Sequence, residues 1–276
     1  MARSVHFKVG SIDCWAVSDA AVPELVSVDG WLFSASQDAI DQSLAEHHLR
    51  ADGIPLDWLC LLVRRAGQYV LVDTGSGPGV NANLGYLLHH LNTLGVEADD
   101  IGTVIVSHAH LDHIGGTLTA NGQPAFAKAR VVLGQGERQM LELVPPVPSL
   151  LYEAALRYLP ALASQLDYVA DGEEILPGVH AVAMPGHTPG STAVEISSAG
   201  ARLLFTGDLF YHAMQVEHPD WCSQYDLDPA QAIASRERIY RMAVDEKLLV
   251  LPAHAPLPGL GHITWDGASF RWQQAV

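Results

Sequence analysis

The stretch "SHAHLDHIGG" at residues 107–116 places the tightest constraint on this chain. It follows Thr103–Val106, a continuous apolar and β-branched run of the kind that forms a strand buried on both faces. In an extended chain, side chains two apart point the same way, so His108 and His110 can reach one metal together. Asp112 and His113 come one turn later, aim elsewhere and suit a second metal beside the first. Gly115 and Gly116 let the next segment start tightly against the sheet. At this chain's own His and Asp frequencies the pattern H-x-H-x-D-H arises by chance in about two of a thousand such sequences. Neutral imidazole and carboxylate are good ligands for zinc and its first-row neighbours.

Four more stretches deliver a His or Asp at the end of an apolar run. "PGHTPGS" carries His187 on a tight Pro/Gly loop, and "LLFTGDLF" carries Asp208. "LVLPAHAP" carries His254, and "YVLVDTGSG" carries Asp73. Each alone is weak, because a single His after a strand is usually structural. Five strand ends sharing this property point to one site assembled from loops at a sheet edge.

The rest of the chain reads as short strands alternating with helices. "VHFKVG" and "IDCWAVSDA" are strands, and residues 31–50 form a loop leading into an amphipathic helix. "LDWLCLLVRRAGQYVLVDTG" forms two strands joined at Ala66-Gly67. "LGYLLHHLNTLGV" has helical spacing with Gly95 as its stop, and His89 and His90 read as surface residues on it. "ARVVLG" is a strand and "PSLLYEAALRYLPALASQL" a helix. Three short strands span 179–210, and "PAQAIASRERIYRMA" is a helix whose Arg236, Arg238 and Arg241 read as a solvated face. "KLLVLPAHA" is a strand and loop. This alternation predicts an α/β class with helices layered on sheets, in one domain spanning 1–276.

The 31 Asp and Glu against 15 Lys and Arg give a net charge of −16. Gripping phosphate backbones needs a basic stripe, so nucleic acid and anionic membrane surfaces are excluded as partners. No run approaches the roughly 18 apolar residues of a membrane span, and the N-terminal residues show no export signal. Cys14, Cys60 and Cys222 are odd in number and widely spaced, which predicts buried free thiols in a reducing, cytoplasmic setting.

The motifs "HAHLDH", "GHTPGS", "TGD" and "PAH", in this order and preceded by "VDTG", resemble the metallo-β-lactamase superfamily. The resemblance runs from about Phe7 to Trp272. It implies a four-layer αβ/βα sandwich of two pseudo-repeated halves, with two metals at one sheet edge. By that resemblance His108, His110 and His187 hold one metal, Asp112, His113 and His254 hold the other, and Asp208 bridges them. Asp73 then orients ligands. The implied cofactors are two divalent ions, zinc first, with iron, manganese or cobalt as alternatives. Two ions roughly 3.5–4 Å apart can share a water and lower its pKa to give hydroxide, which attacks a carbonyl or phosphoryl centre. Asp112, Asp208 and Tyr211 are the catalytic residues this implies. Ser107 and Ser191 lack a spare base and read as structural.

Within the superfamily, "GDLFYHAMQVEHPDW" and "HAPLPGLGHITWDGASFRW" resemble the branch of acyl-homoserine lactonases, aryl-lactone hydrolases and methyl-parathion-type hydrolases. In the lactonases a Tyr three residues after the bridging Asp contacts the lactone, and Tyr211 holds that spacing here. The organophosphate hydrolases are usually exported, which sets them apart from this chain. The expectation is a dinuclear hydrolase opening a small, fairly apolar ester, above all a lactone. The alternatives are a phosphotriesterase or aryl esterase, then a glyoxalase II-like thioesterase, and outside enzymes a metal-binding sensor or iron redox protein. Trp31, Phe33, Phe210 and His212 are the expected pocket residues. The apolar segment 144–162 offers either a pocket wall or a homodimer contact, and His262 a local hydrogen bond.

Overall fold

The computed structural model of the chain describes residues 2–28, 33–50, 53–65, 67–143 and 150–275. The first half contains β1 (Ser4–Val9), β2 (Ile12–Ser18), β3 (Glu24–Val26), α1 (Gln37–Glu46), β4 (Ile54–Leu56), β5 (Leu59–Arg65), β6 (Gln68–Val72) and α2 (Leu87–Thr93). It continues through β7 (Ile101–Val106), α3 (Leu111–Ile114), β8 (Arg130–Gly134), α4 (Leu150–Ala161) and β9 (Leu166–Val169). The second half holds β10 (Glu174–Leu176), β11 (Val179–Ala183), β12 (Thr192–Ser198), β13 (Ala201–Phe205), α5 (Ala213–Glu217) and α6 (Pro229–Asp245). It ends with β14 (Leu249–Leu251), β15 (Gly261–Trp265) and β16 (Phe270–Gln274).

Two seven-stranded sheets result, in the orders β1-β2-β5-β6-β7-β8-β9 and β10 to β16, with β3 and β4 paired apart from both. Each large sheet opens with four antiparallel strands and then changes hand through a helix. β6 pairs parallel with β7 across α2, and β13 pairs parallel with β14 across α6. The expected repeat is therefore visible in the topology. Asp73 follows β6 and His108 follows β7, as Asp208 follows β13 and His254 follows β14.

Alternation along the strands explains the layering. Leu61, Val63, Val70, Val72 and Ile105 of the first sheet meet Val179, Ala181, Val194, Leu203 and Phe205 of the second. The opposite faces carry Leu62, Leu71, Val104 and Val106 against α2 and α4. In the second sheet Ala193, Leu204 and Val250 lie against Ile239, Tyr240 and Ala243 of α6. Strands buried on both faces read as unbroken apolar runs, as "LCLLV" and "TVIV" do. Neither half can bury its inner sheet face without the other.

One sequence expectation changes here, and one element appears that the sequence did not announce. His90 is buried, with Nδ1 2.8 Å from the Ser18 carbonyl, so it ties α2 to β2 instead of facing solvent. The β3–β4 pair, joining Glu24 to Leu56 and Val26 to Ile54, lacks the alternation that announces a strand and was not legible in the sequence. The two strands expected to form a hairpin pair antiparallel, with Arg65 opposite Gln68, while Ala66 lies outside the described residues. His262 bonds the Leu248 carbonyl as expected, at 2.8 Å. Part of the apolar segment, residues 144–149, lies outside the described residues.

Candidate metal centre

The ends of β6, β7, β13 and β14 and the loop after β11 meet at one edge of the sandwich. Chain crossing here is close. A Cβ on Gly116 would lie 2.0 Å from the Thr74 carbonyl oxygen, so the turn after α3 can pack on the turn after β6 only with glycine there. Gly186, before His187, has φ +134°, and a Cβ on it would lie 2.2 Å from the Ala232 amide of α6. Its loop is thereby seated on that helix.

Seven side chains converge from these loops. His108 Nε2 and His187 Nε2 each lie 3.0 Å from His110 Nδ1. His113 Nε2 and His254 Nε2 each lie 3.0 Å from Asp208 Oδ1. Asp112 Oδ2 completes this second set, 3.6 Å from His113 Nε2 and 3.5 Å from His254 Nε2. The other oxygen of Asp208, Oδ2, lies 3.4 Å from His187 Nε2 and 4.0 Å from His108 Nε2. Asp208 thus presents one oxygen to each histidine set. All of these residues are buried except Asp112, which is partly exposed.

The outward nitrogens are held by a second ring of groups. His113 Nδ1 lies 2.7 Å from Asp73 Oδ2, His187 Nδ1 2.9 Å from Asp226 Oδ1, and His254 Nδ1 3.0 Å from the Asp57 carbonyl oxygen. His108 Nδ1 lies 3.1 Å from Ser107 Oγ, which itself donates to Asp73. Each acceptor holds a proton on the outward nitrogen and leaves the inward lone pair free. Asp73 reaches this position with φ +61°, a conformation uncommon outside glycine, while accepting from the Ser107 amide at 2.7 Å.

Lone pairs and carboxylates aimed at two common points repel one another unless cations sit between them. Protonation shows the same demand. Burial opposes a proton on His113, but Asp208, Asp112 and Asp73 outweigh it and raise its pKa well above the ordinary value. Burial likewise opposes a proton on His254, and Asp208 outweighs it. Burial and the neighbouring histidines push His108 and His110 the other way, toward the neutral, metal-ready form. The donor set therefore fits two divalent ions, one per histidine triplet or pair, with Asp208 between them.

A cavity of about 170 Å³ opens over the cluster. Its walls are Val26, Leu56, Trp58, Tyr211 and Tyr225, with His110, Asp112, His187, Asp208 and His254 at its base. Tyr211 stacks on His254 with ring centroids 5.3 Å apart, and Trp58 meets the same imidazole edge-on at 5.9 Å.

Of the expected pocket residues, three lie elsewhere and one falls outside the described residues, Trp31. Phe33 is buried in the apolar cluster of α1 and β4 against Trp221. Phe210 points into the core under α6, because successive residues after β13 face opposite ways and Tyr211 takes the site face. His212 accepts from the Met214 amide at the start of α5 and lines a different cavity, with Trp272 and Leu257.

Arg236 needs a larger correction. It is buried, not solvated, and donates to the carbonyls of Leu209, Pro219 and Trp221 and to Asp226 Oδ2 at 2.6 Å. Arg238 and Arg241 remain exposed. Sequence reading also missed Glu137, which is buried and accepts from the amides of Ala109 and Gly190 and from the Thr188 hydroxyl. It fastens the His108–His110 loop to the His187 loop. Trp58, Tyr225, Asp226 and Glu137 carry no local signal, since their relevance depends on partners tens of residues away.

Comparison with known proteins agrees with this geometry. Residues 55–265 match the sequence profile of the metallo-beta-lactamase superfamily. N-acyl homoserine lactonase AiiA of Bacillus thuringiensis subsp. kurstaki is 29% identical over 224 residues, covering 71% of this chain and 80% of the relative. Among solved structures, AidC, a dizinc quorum-quenching lactonase in complex with a product, superposes with a TM-score of 0.91 at 25% identity, covering 100% of this chain and 98% of that one. The hydrolase AbOPH has a TM-score of 0.88 at 23% identity, with the same coverage, and shows likeness of fold. From its motifs, its paired sheets and this profile match, the chain belongs to the metallo-beta-lactamase superfamily.

Proposed function

We propose that this protein is a metal-dependent hydrolase that opens a small neutral lactone, acyl-homoserine lactones being the first class to test. The observation that carries this reading is the cluster of seven candidate ligands at the base of a small, aromatic-walled cavity with no Lys or Arg among the described residues of its lining. His108, His110 and His187 would hold one divalent ion, Asp112, His113 and His254 the other, and Asp208 both. Zinc is the ion assigned, with iron, manganese and cobalt as the alternatives that elemental analysis resolves. Such ions, when bound, polarise a carbonyl oxygen and acidify water near neutral pH.

The chain's own residues do the rest. Val26, Leu56 and Trp58 offer apolar surface to the ring and first carbons of a substrate, and they exclude water from the reacting centre. Burial, then the charge of Asp208, pushes the Tyr211 phenol well above its ordinary pKa, so it stays protonated as a hydrogen-bond donor. A neutral donor beside the ligands can stabilise charge developing on the carbonyl oxygen. Among the described residues no Lys or Arg lines the cavity, so an anionic thioester would find no side-chain cation there beyond the metal centre itself, which favours a neutral substrate.

The lactonase relative and the product-bound neighbour support the same substrate class. The three buried free thiols suit the reducing cytoplasm. Among the described residues no helix is long and apolar enough to cross a membrane. A substrate panel on metal-analysed protein tests the proposal: N-hexanoyl-homoserine lactone, an aryl lactone, a paraoxon-type triester and a glutathione thioester. A lactone should exceed the others in kcat/KM by at least about tenfold, which is about 1.4 kcal/mol of differential transition-state stabilisation. A preference of that size for the triester or the thioester would overturn it.

A further inference from the structure

Arg236 reaches the His187 side of the metal centre and the turn that carries Asp208, each through one intermediary, without lining the cavity. Through Nη2 it binds Asp226 Oδ2 at 2.6 Å, and Asp226 Oδ1 lies 2.9 Å from His187 Nδ1. Through Nε it binds the carbonyl of Leu209, the residue after Asp208, at 2.8 Å. Nη1 is occupied by the carbonyls of Pro219 and Trp221. The guanidinium is 1% exposed and the Asp226 carboxylate 0%. A cation is rarely buried this completely without a reason in its surroundings. Here its fork meets acceptors from four separate points of the chain, which only a planar, multiply donating group can do.

We infer that Arg236 and Asp226 are positioning residues that set the geometry of the His108–His110–His187 metal set, by fixing His187 through Asp226 and the Asp208 turn through Leu209. The inference rests on the reading of this cluster as a metal centre.

The chemistry of Asp226 makes the role specific. Its carboxylate accepts from His187 on one side and from Arg236 and the Ser223 amide on the other. An asparagine fills the same space but has one accepting oxygen, so either His187 or Arg236 then meets an N–H. The ring of His187 would lose the partner that keeps Nε2 turned inward. The histidines of the Asp112–His113–His254 set lean on Asp73 and the Asp57 carbonyl instead and share only Asp208 with the first set, so that set should be affected much less.

Cobalt(II) is the probe. Metal-free full-length wild type, Asp226→Asn, Arg236→Lys and Arg238→Met are titrated with Co²⁺ against a chelator, and visible d–d absorption and circular dichroism are recorded. Arg236→Lys keeps the positive charge that offsets Asp226, which guards against loss of fold. Wild type should take two equivalents. Asp226→Asn and Arg236→Lys should stay folded, bind one equivalent normally and bind the other on the order of 10–100-fold more weakly, with an altered d–d band. Arg238, on the exposed side of α6, should behave as wild type. The inference is overturned if both variants lose thermal stability but keep both affinities and the wild-type spectrum, or if Arg238→Met weakens cobalt equally. A wild type that binds no cobalt would overturn the metal reading itself, and this inference with it.

Discussion

The carboxylate of Asp73 holds His113 by a 2.7 Å contact from Oδ2 to Nδ1, across 40 residues of chain. The same carboxylate accepts from the amide and hydroxyl of Ser107, so one acid joins the turn after β6 to the whole ligand loop after β7. Asp73→Ala should therefore damage stability and metal content together. Losing charge-assisted hydrogen bonds of this kind costs on the order of 2–3 kcal/mol, or about 5–10 °C in Tm for a chain of this size. Calorimetry with elemental analysis checks it, and a variant with unchanged Tm and two metals would contradict this role.

Metal stoichiometry is the most direct measurement. Protein purified without chelator should approach two ions per chain. His110→Ala removes the nitrogen that His108 and His187 both face at 3.0 Å, and should lower occupancy and abolish hydrolysis. One tightly bound metal with full activity would exclude a dinuclear centre.

Tyr211 separates a lactone-type site from a merely metal-binding one. Where an oxyanion donor acts alone, its removal costs up to 10²–10³ in kcat. Bound metal ions would share the task here, so Tyr211→Phe should lower kcat on the order of 10–100-fold, with KM changing less and metal content unchanged. Turnover within about twofold of wild type would leave the tyrosine a packing residue against His254.

Salt dependence reports substrate charge. A neutral lactone carries no net charge for the site to attract, and among the described residues no Lys or Arg lines the cavity, so salt has little long-range attraction to screen. Raising NaCl to about 0.5 M should change kcat/KM for a lactone by less than roughly threefold. A steep fall would favour an anionic substrate.

The pH dependence of stability has a contributor away from the ligands. Burial, then the neighbouring His47, lowers the pKa of His212 to about 4, against an unfolded value near 6.5. As pH falls from 6.5 to 4 the unfolded chain takes up a proton that folded His212 refuses, so stability falls across that window. Asp19 works oppositely: burial raises it to about 6, so it favours the fold as pH drops. The clean comparison is wild type against His212→Asn, which keeps a helix-capping acceptor and removes the titration. Tm should fall less steeply between pH 7 and 4.5 in the variant, and identical slopes would remove His212 from the account.

Much of the fold and site was legible because it is written at short range. His108, His110, Asp112 and His113 lie within six residues, and strand periodicity followed by a single helical turn divides them into two sets before any packing is considered. The apolar runs ending at Val72, Val106, Phe205 and Leu251 announced buried strands, and the His or Asp just beyond each announced a loop site.

What the sequence by itself determined was therefore the inventory of candidate ligands at the strand ends and the alternation of strands and helices, since both follow from backbone periodicity over a few residues. Tertiary structure decided which other side chains face the ligands. Arg236 sits on a helix whose neighbours Arg238 and Arg241 are exposed, and only the seating of α6 on the second sheet and on the His187 loop buries it against Asp226. Phe210 and Tyr211 are adjacent aromatics that periodicity alone does not tell apart, though the resemblance singled out Tyr211. The direction of the backbone after Asp208 sends one into the core and the other to the site. Trp58 and Tyr225 reach the cavity from opposite halves of the chain, brought together because each sheet can bury its inner face only against the other.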